Sequence, residues 1–140
     1  MMMYFIVQHL LFYAGMKFIL PVIWSLVILV LCAIPGKDLP HVSFLEILAF
    51  DKWVHAGIFF VLVLLFSRAS VRAFEVSRIK AMQFVFLIIS VMYGGALEIM
   101  QGILFEDRSA DVLDFIANSL GAIAGYYSYP FLAGKMTFLK

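Results

Sequence analysis

The sequence predicts an all-α fold: a polytopic membrane protein whose four transmembrane helices form a bundle with both termini in the cytoplasm. Hydrophobic residues make up 65% of the 140 residues and charged residues only 14%, a balance outside the range of soluble domains. The charges are concentrated in short clusters, and four apolar segments stand out. No segment alternates polar and apolar residues as a transmembrane barrel strand would. The length is that of a single domain.

The apolar segments have the lengths that membrane-spanning helices need. About 20 helical residues cross the ~30 Å hydrocarbon core of a bilayer. The first segment ends at Pro35-Gly36, a strong helix stop signal. The four predicted spans cover residues 18–34, 51–70, 81–105 and 111–132. The predicted organisation has three parts. Residues 1–17 form an N-terminal extension that is the candidate dispensable part, residues 18–132 form a four-helix membrane domain, and residues 133–140 form a short cytoplasmic tail.

The distribution of lysine and arginine predicts the orientation. With four spans, seven cations fall on one side of the membrane and three on the other. Since cytoplasmic loops carry the excess of positive charge, the seven-cation side is expected to face the cytoplasm. The seven are Lys17, Arg68, Arg72, Arg78, Lys80, Lys135 and Lys140, and the three are Lys37, Lys52 and Arg108.

This orientation brings three polar clusters, distant in sequence, to the outer leaflet. Polar side chains at membrane depth are costly, and by default they suggest a functional site. We therefore predict a ligand-binding site there. The first cluster begins the second span, the next ends the third span, and the last leads into the fourth. The predicted site residues are Asp51, Lys52, His55, Glu98, Gln101, Arg108, Asp111, Asp114 and Asn118.

Simpler structural roles compete with a site role at several positions. Asp51 and Asp111 have the residue type and place of helix caps. Glu98 has a natural partner in Arg108, and that pair alone could dock two helices. Small residues at helical spacing are typical of close helix packing, which is the role predicted for Gly94, Gly121 and Gly125.

Several functional classes lack support in the sequence. No zinc-protease, dithiol, phosphate-loop or serine-elbow motif is present. The single Cys32 allows no intramolecular disulfide. No basic patch with interleaved aromatic residues suggests nucleic acid. The acids and His55 are residue types that bind divalent metals, but no spacing identifies such a site, so neither a metal nor a cofactor is predicted. The oligomeric state stays open.

The ordered polar motifs resemble those of the VanZ-like family of small bacterial membrane proteins. The matching residues are DKWVH at 51–55, E-x-x-Q from Glu98, and R-S-x-D-x-x-D-x-x-A-N-x-x-G from Arg108. The resemblance covers roughly residues 35–125. It implies a place in the cell envelope and a link to glycopeptide (teicoplanin-type) antibiotic tolerance, but it implies no particular reaction. The short outer loops of this chain argue against a large extracellular recognition surface.

Three functions are compatible with these residues. The first, which we favour, is non-enzymatic binding of a polar or phosphate-bearing lipid or cell-wall-precursor headgroup, with Arg108 and Lys52 holding the anion. The second is an intramembrane enzyme that uses acid–base chemistry, with His55, Glu98 and Asp114 as the candidate catalytic residues. The third is a purely structural module. The sequence does not decide whether the protein is an enzyme, and the expected partner is the lipid bilayer.

Overall fold

The computed structural model describes residues 15–34, 50–104 and 109–139, and most residues in these ranges are helical. The elements are α1 (Ile19–Ala33), α2 (Phe50–Ala73), α3 (Val76–Leu104), α4 (Val112–Lys135) and a short 3-10 helix (Thr137–Leu139). Within the described ranges there is no strand, so the prediction of an all-α fold is confirmed.

Helices α2, α3 and α4 each extend, at one end at least, beyond the apolar segment that predicted them. Helix α2 runs three residues past the predicted end at Ser70, and α3 begins at Val76 instead of Ala81. Helix α4 continues through Pro130 to Lys135. The predicted bounds followed hydrophobicity, whereas the extra turns carry basic side chains, which are good helix formers and need no apolar surroundings.

Two of the helices are long and apolar enough to cross a membrane. These are α2 and α3, while α1 is apolar but shorter. Length and composition alone do not separate such helices from the buried core helices of a soluble protein. They are compatible with a membrane protein.

The exterior of the bundle is strongly apolar. Each of the four helices exposes several large apolar residues, among them Leu26 and Val30 on α1 and Ile88 and Met92 on α3. The interior combines an apolar core around Phe59 with buried polar groups: Ser67, Ser70, Gln83, Ser90, Glu98, Gln101 and Asn118. An apolar exterior of this extent marks a surface that contacts lipid or another protein.

Glycines allow α4 to lie directly on α2, the helix against which it packs most extensively. A Cβ atom at Gly121 would lie 2.0 Å from the carbonyl oxygen of Ala56, and one at Gly125 would lie 2.7 Å from that of Phe60. Since neither position has room for a side chain, the two backbones are in contact. Gly94 of α3 is similarly tight, with its virtual Cβ 3.2 Å from the Cβ of Asn118. The three predicted packing glycines thus lie at the crossings that position the polar clusters.

Basic residues and the C-terminal segment lie together at one end of the bundle. Lys17 donates a hydrogen bond to the carbonyl oxygen of Arg72, and Arg68 Nε donates one to the carbonyl oxygen of Phe138. Leu139 is buried, and its carbonyl oxygen accepts a hydrogen bond from the Tyr129 hydroxyl at 2.8 Å. The described part of the predicted tail therefore packs back on the helices. The polar clusters lie at the opposite end.

Candidate functional site

The site is built from the first turns of α2, the last turns of α3 and the start of α4. These three segments meet because α2 and α3 are joined by a two-residue turn and are antiparallel, while α4 crosses α2 at Gly121. Seven of the nine predicted site residues contact at least one other member of the set: Asp51, Lys52, His55, Glu98, Asp111, Asp114 and Asn118. Gln101 has a different partner, and Arg108 lies outside the described residues.

Lys52 is the centre of the charged half of the site. Its Nζ atom lies 2.8 Å from Asp51 Oδ2 and 2.6 Å from both Asp111 Oδ2 and Asp114 Oδ1. An ammonium group has three donors, and here each donor has a carboxylate partner. Lys52 is therefore engaged by acids of its own chain, which argues against the predicted use of this side chain to hold an anionic ligand.

Asp111 combines a structural role with membership of the cluster. Its Oδ1 atom caps α4 by accepting a hydrogen bond from the backbone N–H of Leu113 at 2.8 Å. The hydrogen bond from Lys52, reinforced by this cap, holds the pKa of Asp111 below its ordinary value. The backbone N–H of Asp111 donates to Glu98 Oε2 at 3.1 Å. The cap predicted as a simpler role for Asp111 is thus present in the structure, together with contacts that link α4 to α2 and α3.

A chain of hydrogen bonds connects His55 to Glu98 through Asn118. Asn118 Nδ2 lies 3.5 Å from Glu98 Oε1, and Asn118 Oδ1 lies 3.1 Å from His55 Nδ1. A carboxylate only accepts hydrogen bonds, so the amide donates to Glu98 and its oxygen accepts from His55. His55 Nδ1 therefore carries the proton. In the neutral imidazole, Nε2 is then left with a free lone pair.

The Nε2 atom of His55 faces a second carboxylate. His55 Nε2 lies 3.7 Å from Asp114 Oδ2, beyond hydrogen-bond distance. The other oxygen of Asp114 is held by Lys52. Ligand atoms of His55, Asp114 and Glu98 all lie within 4.8 Å of one another, so these three side chains form a compact set with the atom types of a metal site or an acid–base site.

Glu98 is the most deeply buried carboxylate of this set, with 6% of its surface exposed. Among the described residues its partners are the Asn118 amide and the Asp111 backbone N–H, and no lysine or arginine of those ranges pairs with it. The predicted Glu98–Arg108 pair involves a residue outside the described ranges, so that prediction stays untested.

Gln101 lies one helical turn beyond Glu98, but its amide serves a different contact. Its Nε2 atom donates to the carbonyl oxygen of Cys32 at 3.1 Å and ties the end of α3 to the end of α1. Cys32 is buried and forms no disulfide. The Glu98/Gln101 spacing correctly placed both side chains on one face, but it could not identify a backbone partner on another helix.

A groove between α2 and α4 adjoins the polar cluster, and no pattern in the sequence predicted it. Its volume is about 460 Å³, and apart from Lys52 its lining is apolar. The lining residues are Lys52, Trp53, Ala56, Gly57, Phe60, Ala117, Leu120, Gly121 and Ala124. Small residues on both helices create the space, and such residues suggest a groove only once the helix pairing is known.

The fold and the site together define a small helical protein with an apolar exterior and a partly buried polar cluster at one end, compatible with residence in a membrane. The VanZ/LLP1 family model matches residues 24–133. The chain therefore belongs to the VanZ-like family, which confirms the resemblance seen in the motifs. No curated protein and no solved structure matched the chain.

Proposed function

We propose that this protein is a multi-pass protein of the bacterial inner membrane that binds a lipid or lipid-linked cell-wall precursor from the outer leaflet. The polar cluster takes the headgroup, and the groove between α2 and α4 takes part of the chain. The observation that carries this proposal is that the two features share Lys52: an apolar groove opens directly beside a partly buried set of polar side chains.

The surface supports a membrane location for all four helices. The polar residues of α4 face α2 and α3, while Leu113, Ile116, Leu120 and Ile123 point outward. In this proposal α4 therefore spans the membrane although its composition is less apolar than that of α2 or α3. The basic end then faces the cytoplasm, as the positive-inside rule expects, and the acidic end faces outward.

The two halves of the proposed site contribute differently to binding. A lipid chain leaves one apolar environment for another when it moves from the bilayer into the groove, so burial gives little net free energy there. The groove fixes position and shape. Selectivity must come from the headgroup contacts, because polar groups at the edge of a low-dielectric region discriminate strongly between partners.

The charge of the cluster limits the headgroup. The described cluster holds four carboxylates, of which Asp51, Asp111 and Asp114 surround the one ammonium group, that of Lys52, while Glu98 accepts from the Asp111 N–H. Hydroxyl and amino groups of a headgroup would find acceptors in this cluster. A phosphate would need further positive charge, and Arg108 is the candidate side chain for it.

Filling the groove should block lipid binding without disturbing the fold. Gly57 has no atom within 4 Å of a virtual Cβ and lines the groove, so Gly57→Leu places a side chain where the lipid chain would lie. We expect at least a fivefold loss of labelling by a photoactivatable phosphatidylglycerol in nanodiscs. Gly134→Leu is the matched control, since Gly134 is equally open but lies outside the groove.

Equal labelling of the two leucine variants would contradict the proposal. Substituting His55 by alanine should also reduce labelling, because it removes a headgroup contact without touching the groove. Recovery of a chemically altered lipid-linked precursor from wild type, absent with His55→Ala, would instead favour an intramembrane acid–base enzyme.

The family link to teicoplanin-type tolerance gives this proposal a cellular consequence. A protein that sequesters a wall precursor at the outer leaflet would change the access of glycopeptides to their target. We expect expression of wild type in a susceptible Gram-positive host to raise the minimum inhibitory concentration of teicoplanin at least fourfold, and expression of Gly57→Leu to leave it at the vector level. An identical increase in the minimum inhibitory concentration with both proteins would show that tolerance does not depend on lipid binding.

A further inference from the structure

We propose that His55, Glu98 and Asp114 bind a divalent metal ion of the Zn²⁺ or Mn²⁺ type. The inference rests on four features of the described residues: the tautomer of His55, the distances among the three side chains, their burial, and the charge balance around them. The role of this ion rests on the proposed function, because the bound cation would bind the phosphate of the lipid headgroup.

The hydrogen bonds of His55 prepare it as a ligand. A metal-binding histidine donates the N–H of its other ring nitrogen to an oxygen acceptor, which fixes the tautomer and the ring orientation. His55 does this toward Asn118 Oδ1 at 3.1 Å, and Asn118 is itself held by Glu98. The remaining nitrogen, Nε2, faces Asp114.

The distances fit ligands that share one ion. His55 Nε2 and Asp114 Oδ2, both atom types that bind metals, face each other at 3.7 Å. Metal–ligand bonds of roughly 2.0–2.2 Å hold neighbouring ligand atoms about 3 Å or slightly more apart, so a small closure would bring both atoms onto a common ion. The ligand atoms of all three residues already lie within 4.8 Å of one another. One imidazole with two carboxylates suits Zn²⁺ or Mn²⁺ better than Mg²⁺ or Ca²⁺.

Burial separates this set from an ordinary acidic surface. Glu98 is 6% exposed and Asn118 is 1% exposed. The side chains of His55 and Asp114 are 14% and 16% exposed. A solvated acidic patch needs no counter-ion, but carboxylates removed from water do.

The charge balance of the described cluster favours a cation. Glu98 and Asp114 are the two least exposed carboxylates of the cluster, and the single ammonium group of Lys52 is shared among Asp51, Asp111 and Asp114. A divalent ion would supply the positive charge that Glu98 and Asp114 still lack. It would also supply the positive charge that a phosphate-bearing headgroup requires, since Lys52 is occupied by carboxylates.

The first measurement is metal binding by the full-length protein in detergent, without added lipid. After treatment with EDTA and dialysis, wild type should bind about one Zn²⁺ or Mn²⁺ per chain by equilibrium dialysis and elemental analysis. His55→Ala, Glu98→Gln and Asp114→Asn should each weaken binding at least tenfold. Glu75→Gln is the matched control: it removes an exposed carboxylate at the opposite, basic end of the bundle, and it should bind the ion as wild type does.

A spectroscopic readout keeps the test independent of variants that fold poorly. Mn²⁺ bound to wild type should show the nitrogen modulation of one imidazole in pulsed electron paramagnetic resonance, and this signal should be absent in His55→Ala. Failure of wild type to bind either ion, equal binding by all variants, or bound Mn²⁺ without a nitrogen ligand would each overturn the metal proposal.

Lipid labelling with and without the ion distinguishes this inference from the proposed function. If wild type binds no ion but labelling still depends on Gly57, the metal site is refuted and the lipid site stands. If the ion binds as described but labelling is the same in wild type and Gly57→Leu, the metal site stands and the lipid site is refuted. Phosphatidylglycerol labelling that falls at least fivefold in EDTA would support both.

Discussion

Substituting Gly121 by alanine should destabilise the protein more than the same substitution at any other described glycine. The added Cβ atom would lie 2.0 Å from the carbonyl oxygen of Ala56 and 2.7 Å from its Cα. The obstacle is backbone, which cannot rotate away as a side chain could. Helices α2 and α4 would have to separate along their most extensive contact. Overpacking a tight interior costs about 1–3 kcal/mol, and we expect the upper end of that range.

The same helix offers a matched control for this substitution. Gly134 lies on α4 with no atom within 4 Å of a virtual Cβ, so Gly134→Ala should leave stability unchanged or raise it slightly, because alanine favours a helix over glycine by up to about 1 kcal/mol. The free energy of unfolding can be measured by titrating SDS into mixed micelles. Equal stabilities for the two variants would show that the α2–α4 contact is looser than the structure indicates.

The sequence was sufficient for the fold class and for the grouping of polar residues. Apolar segments of membrane-spanning length predicted the four helices. Because successive spans run in opposite directions, the starts of the second and fourth spans were expected at the same end, and the structure places Lys52 and Asp114 in contact there. Glycines spaced four apart on α4 indicated close packing before any partner was known. These predictions were possible because helical periodicity fixes which residues share a face.

What the sequence could not provide was pairing across helices. Lys52 was expected to hold an anionic ligand, yet three carboxylates of its own chain surround it. Gln101 was placed in the site, yet its amide bonds to the Cys32 carbonyl oxygen. Both outcomes depend on distances of a few ångströms between segments far apart in sequence, which residue types and spacing do not fix. The groove beside Lys52 escaped detection for the same reason.

Replacing Lys52 by methionine should produce the second large loss of stability. Its ammonium group neutralises Asp51, Asp111 and Asp114, with Nζ–oxygen distances of 2.6–2.8 Å. Methionine keeps the length and apolar stem of the side chain but leaves these acids unpaired. Removing one partner of a fully buried pair costs about 3–5 kcal/mol, whereas exposed pairs contribute up to about 1 kcal/mol. Lys52 is 23% exposed and Asp114 16%, so we expect a loss of about 1–3 kcal/mol.

A double-mutant cycle identifies the source of that loss. Most of the penalty should arise at Asp114, the least exposed of the three acids. Adding Asp114→Asn to Lys52→Met should therefore restore part of the lost stability, and the two changes should not be additive. The measurement is the free energy of unfolding in SDS mixed micelles with EDTA present, so that no bound cation replaces the ammonium group.

Lys80→Met, at an exposed lysine near the basic end, should change stability by less than about 0.5 kcal/mol. Additive losses in the cycle, or a Lys52→Met variant as stable as Lys80→Met, would mean that solvent rather than Lys52 neutralises the acids at this end of the bundle.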